Sequence, residues 1–193
     1  MRWGSLFEDM EAQLGESARL EREALAAELA RAERAAVELS GRLRAGVGAQ
    51  VELLLSGGLR TSGILTQAGN GWLVLEDSAR DWLLPSARIM SVRGLGGAVA
   101  PPSTAVWKGL GLGSCLRTLA RVGLAVDLLL RGSDDGGAGA RGRIRSVGAD
   151  YLEFVPLFDV AGEAPFTTSP TLVPFHAILA LRSEAGAVFS ERP

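Results

Sequence analysis

The feature that most constrains this chain is an internal duplication. Val51-Glu-Leu-Leu-Leu55 is answered by Val126-Asp-Leu-Leu-Leu130, and each run follows a Val-Gly pair, Val47-Gly48 and Val122-Gly123. Gly63 stands nine positions before Trp72, and Gly142 stands nine before Tyr151. Pro85 leads to Ile89, Val92 and Arg93 at offsets of four, seven and eight; Pro174 leads to Ile178, Leu181 and Arg182 at the same offsets. Two segments that share so many spacings are expected to fold alike. The copies differ by insertions at 133–140 and 158–170, which belong in loops, where extra residues disturb no pairing.

Within the first copy, short β-type runs at 51–55, 61–66, 72–76, 81–84 and 89–92 are separated by Gly, Asn, Asp and Ser. Five short strands predict a small barrel, with a helix ahead of each copy, the second over 107–122. The N-terminal stretch to about Arg44 is rich in Ala, Glu, Leu and Arg and has no proline, so it predicts one long helix or two, opened by the capping-box pair Ser5 and Glu8. The expected fold is therefore mainly β with α: two tandem five-stranded barrels, each preceded by a helix, plus a long N-terminal helix. The segments are an N-terminal helical part at 1–45, a first barrel at 46–95, a linker at 96–106, a helix plus second barrel at 107–185, and a tail at 186–193.

In the N-terminal helix Leu25, Ala32 and Leu39 recur at seven, as do Leu29, Ala36 and Leu43. Leu25, Leu29, Leu39 and Leu43 are the candidate interaction residues of this seam. It is expected to pack either on its own domain or in a coiled coil with another chain.

Composition narrows the function. Of 193 residues, 47% are hydrophobic and 22% charged, which predicts a folded chain. No apolar run reaches the ~18 residues of a membrane span, and residues 1–11 carry no hydrophobic signal core, so a cytoplasmic protein without a membrane partner is expected. A single cysteine, Cys115, and a single histidine, His176, leave no internal disulfide and no Cys- or His-clustered metal centre. Ser114-Cys115 has no general base nearby in sequence, Gly109–Gly113 lacks the full dinucleotide-binding spacing, and Asp134-Asp135 is too sparse for a calcium loop. The chain is read as a binding protein, with no enzymatic activity and no cofactor. The net charge of −2 gives no overall basic excess, so contact with nucleic acid would depend on local clusters. Arg141, Arg143 and Arg145 alternate and fall on one strand face, suited to phosphates or to guarding an edge strand against aggregation. Trp72, Tyr151, Trp82 and Phe154 are expected chiefly as core aromatics.

A helix followed by five short bent strands resembles the Sm-like family of SH3-type small barrels, and its bacterial Hfq branch most closely. Gly58 and Gly63 around the second strand, the aromatic-led Trp72-Leu-Val-Leu-Glu-Asp77 and the final pair Trp82–Val92 carry the resemblance. In the second copy Pro174-Phe175-His176-Ala177-Ile178 is similar to the Tyr-Lys-His-Ala-Ile signature of Hfq. The resemblance implies RNA binding at a ring rim by His176, by Phe175 in place of the family's Lys, and by Tyr151. Val92-Arg93-Gly94 is similar to the Ile-Arg-Gly of Sm proteins and adds Arg93. Family chains associate by pairing the fourth strand of one barrel with the fifth of the next, which implies a ring of three tandem chains. The alternative is a dimer mediated by the N-terminal helix. Two functions follow: an RNA-binding regulator, or a protein-interaction adaptor and assembly scaffold using the helix and the barrel edges.

Overall fold

The structure is a computed structural model that describes residues 3–100, 111–132, 139–157 and 169–184. The chain divides into two units at Glu38/Leu39. The first unit is one helix, α1 (Trp3–Ala35), in which Ser5 sits inside the helix and not at its cap. Its Leu25 and Leu29 are exposed.

The second unit begins with the short helix α2 (Leu39–Ala45) and the strands β1 (Gln50–Leu55), β2 (Arg60–Ala68), β3 (Trp72–Glu76) and β4 (Arg80–Pro85). A single 3-10 turn, Ser86–Arg88, leads into β5 (Ile89–Arg93). Helix α3 (Leu112–Val122) opens the second copy and ends at Gly123, whose positive φ of 71° closes the helix with an N–H bond to the Leu119 carbonyl. Then follow β6 (Ala125–Leu130), β7 (Ala140–Val147), β8 (Tyr151–Pro156), β9 (Thr171–Pro174), a second 3-10 turn at Phe175–Ala177, and β10 (Ile178–Glu184).

The duplication recurs in the backbone register. Val51 faces Gly63 across β1 and β2, and Val126 faces Gly142 across β6 and β7. Trp72 faces Pro85, and Tyr151 faces Pro174. The second strand of each copy carries a bulge at the same place, between Leu65 and Gln67 and between Ile144 and Ser146. Gly63 and Gly142 are required by close approach: a Cβ on Gly63 would lie within 2.5 Å of the Glu76 carbonyl oxygen, and one on Gly142 closer still to that of Val155.

The expectation of two tandem five-stranded barrels is wrong. All ten strands form one antiparallel sheet, in the order β5-β1-β2-β3-β4-β10-β6-β7-β8-β9, and it does not close on itself. The physical reason lies at β4. Its outer edge does not return to β5 but pairs with β10, Leu83 facing Leu181 and Trp82 facing Arg182. That pairing satisfies the backbone groups that barrel closure would have had to satisfy. Of the two insertions, 133–138 and 158–168 lie outside the described residues, as do the tail from 185 and most of the linker.

Two cores form on opposite faces of this sheet and share its central strands. β3 sends Leu73 and Leu75 into the first core and Trp72 and Val74 into the second. β4 divides in the same way, with Trp82 and Leu84 in the first and Leu83 in the second. β10 gives Leu179 and Ala180 to the first, Ile178 and Leu181 to the second. Leu43 of α2 covers one end of the first core, and Leu116 and Leu119 of α3 cover the second. Leu43 is thereby spent on the core, and Leu39 is exposed on a helix separate from α1, so the expected continuous seam from Leu25 to Leu43 does not form.

Because the close approach repeats, Gly63→Ala and Gly142→Ala should each cost about 1–3 kcal/mol in urea unfolding through overpacking, while Ser62→Ala, on the exposed face beside them, should stay within about 0.5 kcal/mol.

Candidate functional site

The residues singled out from sequence fall into three separate groups. The first lies at one end of the second copy. Tyr151 opens β8 beside Pro174 of β9, and the N–H of Phe175 donates to the Asp150 carbonyl at 2.8 Å, which brings Tyr151 and the Phe175–Ala177 turn together. Gly148 lies beneath the Tyr151 ring, its N–H donating to the Tyr151 carbonyl at 2.9 Å. Phe175 is half-buried, packed against Gly113 of α3 and the second core. Tyr151 and His176 are exposed.

Two arginines that sequence reasoning passed over complete this end. Arg88 of the first copy's turn donates to the carbonyls of His176 and, at 3.1 Å, Ile178 of the second. Arg117 of α3 donates to the Gly148 carbonyl at 3.0 Å. Neither contact has a local sequence signature, since Arg88 and His176 are 88 residues apart.

The second group is the β7 row. Arg141, Arg143 and Arg145 share an exposed face, as the alternation predicted, while Gly142 and Ile144 point inward. The row is partly neutralised: Arg141 lies 3.7 Å from Asp127 and 3.2 Å from Glu184, and Arg145 lies 4.0 Å from Glu153. Arg143 makes no ion pair among the described residues and sits between Ala125 and Val155.

Arg93, the third, is on β5 at the far edge of the sheet, 3.7 Å from Glu52. Its counterpart Arg182 keeps the same partner, 3.6 Å from Asp127, and also stacks 5.2 Å over the Trp82 ring. The ion pair recurs within each copy, whereas the stacking is made between the copies.

Trp82 also donates its indole N–H to Asp77 at 2.8 Å. Burial pushes the Asp77 carboxyl up, but the Trp82 bond, the N–H groups of Ala79 and Arg80 and the charge of Arg80 outweigh it and hold the pKa below its ordinary value. An open groove of about 560 Å³ beside this turn is lined by Glu52, Arg60, Thr61, Asp77 and Trp82, with Arg60 paired to Glu52 at 3.6 Å. Burial pushes the Cys115 thiol up to about 12, which removes its nucleophilicity at neutral pH. Among the described residues no group of three His, Cys, Asp or Glu is placed to hold a metal, and no helix is long and apolar enough to cross a membrane. Asp134 and Asp135 lie outside the described residues.

No family model, no curated protein and no solved structure matches this chain.

Two outcomes are expected from this geometry. Arg88→Ala removes donors to two carbonyls and should lower stability by about 1.5–3 kcal/mol in denaturant titration. Because the folded-state pKa of Asp77 is depressed, its stabilisation is present above the ordinary carboxylate range and is lost as pH falls through the folded value. Asp77→Asn should therefore be less stable than the unsubstituted chain at pH 7, and the gap should narrow below about pH 4 in thermal melts.

Proposed function

We propose that this protein is a non-catalytic binding module that assembles head to tail with further copies of itself and acts as a scaffold. The observation that carries the reading is the identity of the two edges that are unpaired among the described residues. The internal junction joins β4 to β10, and their repeat counterparts, β9 and β5, are the outermost strands. Leu172 on β9 is 62% exposed at the position of Leu83, which is 1% exposed; Met90 on β5 is 68% exposed at the position of Leu179, which is 7% exposed. A second copy that repeats the junction would cover both and pair both open backbone rows. Heterologous contacts of this kind either close into a ring or polymerise, and the Sm-like resemblance favours closure at three chains.

Light scattering tests this directly. The expected mass is three times the 20.2 kDa chain or a multiple of that. Leu172→Glu or Met90→Glu should lower it to one or two chains, since loss of one such buried side chain is worth about 1.5–3 kcal/mol, tenfold or more in affinity. A mass of one or two chains for the unsubstituted protein at tens of micromolar would end the reading.

A second reading, RNA binding, is supported by one observation: Arg143 is free of acidic partners among the described residues, while Tyr151 and His176 are exposed at one end of the same copy. Mobility shifts with total cellular RNA over a salt series test it. Retarded species that weaken as salt rises, and weaken further with Arg143→Ala, are expected; no shift at low salt would contradict it.

A further inference from the structure

The helix α1 carries an apolar stripe whose pattern specifies a partner, independently of the sheet edges. Starting at Trp3 and stepping four, three, four, the positions Trp3, Phe7, Met10, Leu14, Ala18, Glu21, Leu25, Leu29, Ala32 and Ala36 repeat every eleven residues, and only Glu21 is polar. An eleven-residue repeat has 3.67 residues per turn, so the stripe stays on one face along a nearly straight helix, drifting by about 20° per repeat. Ala36 still belongs to it, because its N–H bonds the Ala32 carbonyl at 3.1 Å. Where exposure is described the stripe is bare: Met10 is 49%, Leu25 57% and Leu29 56% exposed. The ion-paired Glu16, Arg19 and Glu23 occupy the opposite face. Gly4 and Gly15 each cost a free helix about 1 kcal/mol relative to alanine, so a helix of 33 residues with this composition gains from a partner.

We infer that the partner is α1 of a second copy, antiparallel and in a single register. The stripe is palindromic in position: pairing Trp3 with Ala36 also pairs Phe7 with Ala32, Met10 with Leu29, Leu14 with Leu25 and Ala18 with Glu21. Residue sizes then complement one another, the two large aromatic positions meeting the two alanine positions. A parallel pair would oppose like with like, aromatic to aromatic at one end and alanine to alanine at the other, and would set Glu21 against Glu21 within the seam. Charge points the same way. Residues 3–18 carry Glu8, Asp9, Glu11 and Glu16 with no basic residue, whereas residues 19–36 balance four arginines against four glutamates. The antiparallel arrangement keeps the two acidic halves apart.

Disulfide trapping on the full chain reads the orientation. In the double variant Leu14→Cys/Leu25→Cys the two thiols of one chain are about 16 Å apart along the helix, too far for an internal bridge. It should oxidise to a covalent pair of chains, at twice 20.2 kDa on a non-reducing gel. Leu14→Cys alone and Leu25→Cys alone should stay single, and half-buried Cys115, its thiol held protonated, should not compete. Met10→Cys/Leu29→Cys, in the same register, repeats the test should the first pair fail to fold. Cross-linking of the single variants would mean a parallel pair, and absence of cross-linking in both double variants would mean an unpaired helix; either result overturns the inference. Neither depends on pairing of the sheet edges.

Discussion

The backbone pairing of β4 with β10 is the constraint on which the rest of this structure depends. It joins segments almost a hundred residues apart and converts two repeats into one continuous sheet. Once that junction exists, β3, β4 and β10 cannot present a solvent face, because each must cover one core on either side. This explains their composition. Strands covered on both faces read as unbroken apolar runs, and Trp72–Leu75, Trp82–Pro85 and Ile178–Leu181 are each buried at every position. β1 and β2, away from the junction, alternate instead.

The polar contacts at the junction reinforce the same geometry. Arg182 lies opposite Trp82 in the pairing and stacks over its ring, while its guanidinium also reaches Asp127. Trp82 is held in turn through its indole N–H by Asp77. On the other side of the junction, Arg88 reaches from the first copy's turn to two carbonyls of the second. The stack of Arg182 on Trp82 and the bonds of Arg88 link the copies, and both use an arginine, whose planar guanidinium stacks and donates in several directions at once. Of the β7 arginines, Arg141 joins this network through Asp127, whereas Arg143 and Arg145 stand apart from it and are exposed.

Much of the local structure was readable from sequence, because it depends on local spacing. The five strand runs of the first copy, the equivalence of Trp72 and Tyr151, and the shared offsets after Pro85 and Pro174 all correspond to the observed register. The global arrangement was misread, although a signal for it was present. Trp72-Leu-Val-Leu75 has four apolar residues in succession, whereas a barrel strand with one wet face would alternate; that run already asked for burial on both sides. Spacing alone does not show which strand supplies the second cover; the pairing of 80–83 with 181–184 joins the fourth strand of one copy to the fifth of the other, the combination that the Sm-like resemblance implied. The same holds for the site. The common face of Arg141, Arg143 and Arg145 follows from a period of two, but the ion pairs that neutralise part of it, and the packing of Phe175 against Gly113, are set by tertiary neighbours. Of the residues Leu25, Leu29, Leu39 and Leu43, Leu43 packs on its own domain, in the first core, which was one of the two expected outcomes, whereas the other three are exposed.

If the halves share their central strands, they must unfold as one. Native-state hydrogen exchange measures this residue by residue. The amide protons of β4 and β10 that hold the junction should be among the slowest in the chain, and β3 and β6 should exchange with the same opening free energy and the same denaturant dependence. If instead β6–β10 exchanged through a separate, lower-energy opening while β1–β5 stayed protected, the two copies would be independent domains laid side by side, and the account of a single shared sheet would be contradicted.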